Sequence, residues 1–156
     1  MGLVAMTSCN KGPLPNNNTY QGGSWTFGSL PYKATSCVGA SSSAMLTASG
    51  VSGNGSTNFT ITFNFTDGYP TANGTYTVLN GHNESSVPLE NLVMINATLT
   101  GGINGQFYSS GRDGSQKVTV TVSNGKITMS GSGIEMVNAS NASDSTLLSF
   151  NITQTQ

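Results

Sequence analysis

From Asn58 to Thr66 the chain alternates without a break. Phe59, Ile61, Phe63 and Phe65 take one phase; Asn58, Thr60, Thr62, Asn64 and Thr66 take the other. A period of two sends successive side chains to opposite faces of a strand, so this run predicts a strand with an aromatic inner face and a polar outer one. Lys117–Ser123 repeats the pattern, with Val118, Val120 and Val122 inward and Thr119 and Thr121 outward. Val93, Ile95, Ala97 and Leu99 make a third face of this kind, and Leu148, Phe150 and Ile152 a fourth. No segment sustains a helical period behind a cap; the one helical candidate, Ala139–Ser145, reads as a loop.

Turn signals separate these runs. Asn124-Gly125 stands between Lys117–Ser123 and Lys126–Ser130, a two-residue hairpin of the type I′ kind. Asp113-Gly114 is expected to join Gln106–Ser110 to the same strand, and Asp67-Gly68, Asn73-Gly74, Asn80-Gly81 and Asn104-Gly105 punctuate the rest. The spacing predicts about nine or ten strands and an all-β fold: an antiparallel β-sandwich of immunoglobulin-like character, with a β-barrel as the alternative. The expected core is Trp25, Phe27, Tyr32, Leu46, Phe59, Ile61, Phe63, Phe65, Tyr76, Val78, Val93, Ile95, Val118, Val120, Ile127, Phe150 and Ile152. Trp25 is read as a core residue rather than a ligand-stacking platform, because aromatics dominate cores.

Three segments follow from composition. Residues 1–9 are apolar, 10–23 form a linker rich in Pro, Asn and Gly, and 24–156 carry the β pattern. Of the 156 residues only 7% are charged, giving a net charge of -1. That is far below the usual quarter. Catalysis by acid–base, nucleophilic or metal chemistry draws on Asp, Glu, His, Cys and Lys, and the chain holds six carboxylates, five Lys or Arg and one His. An enzyme is therefore not expected, nor is a cofactor or metal site. His82, Glu84 and Glu90 share one loop with Ser85 and Ser86, a spacing that reads as a solvated loop rather than a triad. The charge balance offers no footprint for nucleic acid, and no stretch is long enough for a membrane span.

Leu3-Val4-Ala5-Met6-Thr7-Ser8-Cys9-Asn10-Lys11 resembles the end of a bacterial lipoprotein signal, in the Ser-Cys-Asn style of surface lipoproteins of the Bacteroidota. The resemblance covers only these first residues. It implies that Cys9 is lipidated and becomes the mature first residue. The other reading makes Leu3, Val4, Ala5, Met6 and Thr7 a connector strand that pairs with a neighbouring subunit, as in donor-strand fibre subunits, whose sandwich is similar by analogy of fold. An exported chain with two cysteines reads first as one disulfide, Cys9–Cys37. Such a bridge adds roughly 3 kcal/mol in the chain-entropy model. Lipidation of Cys9 excludes it.

The pattern Asn-x-Ser/Thr occurs ten times, roughly twice the number composition alone gives. Asn58, Asn64, Asn73, Asn96, Asn138, Asn141 and Asn151 are candidate sugar acceptors. Asp144-Ser145-Thr146 resembles the O-glycosylation acceptor of the Bacteroidota, which adds Ser145. Two functions are expected from these features. The first is a structural, glycosylated subunit of an extracellular fibre or surface layer, whose partners are copies of itself. The second is a lipid-anchored cell-surface domain that binds glycan or protein.

Overall fold

In the computed structural model, residues 21–53, 57–79, 90–100, 106–110 and 115–155 are described. They form ten strands: β1 (Gly23–Phe27), β2 (Leu30–Ala40), β3 (Met45–Ser52), β4 (Asn58–Phe65), β5 (Gly74–Val78), β6 (Leu92–Thr100), β7 (Gln106–Ser110), β8 (Lys117–Ser123), β9 (Lys126–Asn138) and β10 (Asn141–Thr153). The fold is all-β. Among the described residues one short 3-10 turn, Ser41–Ser43, is the sole helical element.

All ten strands belong to one hydrogen-bonded sheet. The path runs β10-β1-β2-β3-β4-β6-β5-β8-β9 and then returns from β9 to β10, so nine strands close a ring. β7 fills a gap in it, pairing with β6 along Asn96–Leu99 and with β9 along Met136–Asn138. The Asn124-Gly125 hairpin forms as expected. Both residues have positive φ, 52° and 73°, and Ser123 sits opposite Lys126. That is the left-handed pair a type I′ turn requires, and Asn and Gly adopt it at least cost.

Four expectations are corrected. The sheet is not wholly antiparallel: Thr77 and Val78 of β5 pair in parallel with Leu92 and Val93 of β6. A parallel partner needs a crossover of about a dozen residues, and the connection from Val78 to Leu92 is that long. β7 is not the hairpin partner of β8; its neighbours are β6 and β9. β9 does not stop at Ser130 but continues to Asn138. Finally, Ala139–Ser145 is neither helix nor simple loop. It holds the β9–β10 turn and the start of β10, where the Asn138 Oδ1 accepts from Ser140 N at 2.9 Å and the Asn141 Oδ1 from Ser143 N at 3.2 Å.

Every residue of the expected core is buried. The inside of the ring is filled rather than hollow. Phe63 of β4 and Phe150 of β10, on opposite sides of the ring, have ring centroids 4.9 Å apart. Phe59 meets Trp25, Phe27 and Tyr32 at 5.7, 4.8 and 4.8 Å. Trp25 Nε1 and Tyr32 Oη are buried in this cluster without a hydrogen-bond partner. Each such atom costs about 1–3 kcal/mol. Burying an aromatic side chain of about 150–250 Å² at about 25 cal/mol per Å² offsets that cost, so area outweighs the lost bond.

Candidate functional site

The outer face of β2, β1, β10, β9 and β8 is dented. The cause lies in β9. Leu148 pairs with Ile134 but Phe150 pairs with Gly131, which leaves Ser132 and Gly133 bulged opposite Ser149. Gly133 N donates to Ser149 Oγ at 2.9 Å. The Phe150 ring lies over Gly131, where a Cβ would come within 2.8 Å of it. Gln116 holds the bulge in place from the β8 side: its Nε2 donates to Gly133 O at 2.6 Å and its Oε1 accepts from Glu135 N at 3.1 Å. An open groove of about 1110 Å³ lies over the bulge, where the strand is locally displaced and Gly133 carries no side chain.

Register makes this groove orderly. Lys33, Ser24, Asn151, Ser130 and Thr119 are successive cross-strand partners on β2, β1, β10, β9 and β8. All five are exposed. A strand spacing of about 4.8 Å makes the row roughly 19 Å long. Lys117 stands beside it, its Nζ donating to Thr77 Oγ1 at 2.6 Å. Two of the chain's five basic residues therefore line one groove, and no carboxylate is among the described residues lining it. The groove offers hydroxyl and amide groups that can donate or accept, with two cations.

A second polar cluster lies at one end of the ring, around the buried Cys37 and the half-buried Tyr69, Gln154 and Thr155. Residue Thr35 bulges from β2, so the inward phase shifts from Ala34 to Cys37. Cys37 is a fully buried free thiol, pushed up to about 12 by burial. Thr155 pins its backbone: Thr155 N donates to Cys37 O at 2.7 Å, and Cys37 N donates to Thr155 Oγ1 at 3.1 Å. Tyr69 Oη donates to Gln154 Oε1 at 2.9 Å, and burial, helped by Cys37, pushes Tyr69 up to about 12. A thiol held protonated is a poor nucleophile. Cys9, its expected disulfide partner, lies outside the described residues.

These two groups carry a prediction. Both keep their protons in the folded state to a higher pH than in the unfolded chain, so their contribution is complete below pH 9 and is lost as pH rises toward 12. Urea midpoints should stay level through neutral pH and fall between pH 9 and 12. Cys37→Ala should flatten part of that fall, and an unchanged alkaline limb in this variant would contradict the assignment.

The other candidate residues are scattered. Asn58, Asn73, Asn141, Asn151 and Ser145 are exposed, and Asn64 and Asn96 half-buried on the outward phase of β4 and β6. Asn138 is a poor acceptor, because its Nδ2 already donates to Asp144 Oδ2 at 2.8 Å. Asn151 lies in the groove itself. Leu3, Val4, Ala5, Met6 and Thr7, and His82, Glu84, Ser85 and Ser86, lie outside the described residues. No helix among the described residues is long and apolar enough to cross a membrane. The chain matches no family model, no curated protein and no solved structure.

Proposed function

We propose that this chain is a structural subunit of an extracellular fibre or surface layer, joined to its neighbour by strand addition. The observation that carries the reading is the distribution of free strand length. β1 pairs with β10 only from Gly23–Ile152 to Phe27–Leu148, so the stretch Asn141–Thr146 of β10 extends beyond it. At the opposite pole Thr155 occupies the place beside Cys37 that an upstream extension of β1 would take. A segment preceding β1 has no continuing place in its own sheet there. Leu3, Val4, Ala5, Met6 and Thr7 then suit the free length of β10 in the next copy, and a donor at one pole with an acceptor at the other gives an open head-to-tail filament.

Two finer points belong to the same proposal. The ring is flattened, with its β1–β10 and β3–β4 sides packed like the faces of a sandwich; the Phe63–Phe150 contact supports this. Its outer surface carries sugar, for which Asn58, exposed on the outward phase of β4 and away from the groove, is the best placed of the asparagines.

The alternative is a surface domain anchored through lipidated Cys9. Deleting Met1–Ser8 separates the two readings. The truncated chain is expected to stay monomeric by light scattering with unchanged sheet content by circular dichroism, while the full chain assembles. Filaments from the truncated chain would place the connector elsewhere. A native monomer whose intact mass includes lipid on Cys9 would establish the anchored reading instead.

A further inference from the structure

We infer that the outer groove across β2, β1, β10, β9 and β8 is a binding site for an acidic glycan strand. This goes beyond the assembly reading and stands without it.

The chemistry of the row selects the ligand. Its five side chains are one ammonium, two serine hydroxyls, a threonine hydroxyl and an asparagine amide, in hydrogen-bonded register and all exposed. Hydroxyls and amides both donate and accept, which matches a polyol whose hydroxyls do the same. Lys33 heads the row and Lys117 lies near its far end, so a negative charge on the ligand is met toward either end of a span of roughly 19 Å. The dent formed by the Ser132–Gly133 bulge gives the chain of sugars a bed rather than a convex wall.

Competing polymers fit less well. An extended peptide binds a sheet through main-chain bonds at an edge. The groove lies over five strands already paired to one another, so only their side chains face it. Single-stranded nucleic acid carries a phosphate charge on every residue, against two cations in the groove. It also wants aromatic platforms. Three aromatic residues, Trp25, Tyr32 and Phe150, border the groove, but all three are buried in the core behind it and present no open ring face for a base.

The test is titration of the full chain with a hyaluronate hexamer, in which uronates alternate with uncharged sugars, a neutral glucan hexamer and poly-glutamate, read by calorimetry and by backbone NMR shifts. The uronate is expected to bind, to shift Ser24, Thr119, Ser130 and Asn151, and to weaken with added salt. The double variant Lys33→Gln, Lys117→Gln should lose at least tenfold in affinity with an unchanged melting curve. Asn151→Ala should lose several-fold and keep its salt dependence. The inference is overturned if the uronate does not bind, if the double variant binds it equally, or if the glucan or poly-glutamate binds as tightly.

Discussion

Phe63→Ala is expected to destabilise the protein by about 3–5 kcal/mol, whereas Thr62→Ala, one residue away, should stay within about 0.5 kcal/mol of the parent. Phe63 is fully buried and meets Phe150 across the ring, so truncation loses both transfer free energy and a contact joining opposite walls. Thr62 points outward beside Thr47 and Asn96. A close-packed interior relaxes only partly around a missing ring, and the residual cavity adds to the loss. Urea denaturation measures both variants. Equal losses would show that the two faces of β4 have been assigned wrongly.

Gly50→Ala should be nearly as damaging, although it adds only one methyl group. A Cβ at Gly50 would collide with the Lys33 carbonyl oxygen and with the Trp25 ring. The first obstacle is backbone in a paired strand and cannot move without breaking the β2–β3 ladder. The second is a tryptophan wedged among Tyr32 and Phe59. Overpacking typically costs 1–3 kcal/mol, and with neither neighbour able to yield the loss should reach about 3 kcal/mol. Gly53→Ala is the control. Among the described residues nothing lies within 4 Å of its added methyl group, so a change near zero or slightly stabilising is expected from the stiffer unfolded chain. A Gly50→Ala midpoint equal to that of Gly53→Ala would mean that β3 has room the packing denies.

Much of this fold can be read from local alternation. The aromatic face of β4 and the valine face of β8 are two-residue periods, and a strand buried on one face cannot display them otherwise. What alternation misses is what bulges and register decide. Thr35 adds a residue to β2 and moves Cys37 into the core, a shift that leaves no mark in hydrophobic spacing. The inward set Met129, Ile134 and Met136 was legible only in pieces, because Gly131-Ser132-Gly133 looks like a strand end when Ser132 and Gly133 form a bulge within a longer strand. The parallel β5–β6 pair depends on a long connection whose path no local pattern encodes. The groove was the least legible feature. Its row combines β2, β1, β10, β9 and β8, and single exposed polar residues in five separate strands carry no signal until their register is known.

Closure of the ring also governs how the chain reaches its native state. β1 completes its pairing only with β10, so Trp25 must find Phe150 from nearly the other end of the sequence. Contacts of such wide separation are entropically slow to form, and folding rates fall steeply as they come to dominate. Until β10 is present, β1 and β9 both lack their partner and expose open main-chain edges. Most proteins guard such edges with lysine, proline or other charge, and this chain, 7% charged, has little to spend. Its protection arrives only with the last strand. Fragments ending before Asn141, and molecules caught midway through synthesis, should therefore be the aggregation-prone species, while the completed ring is not.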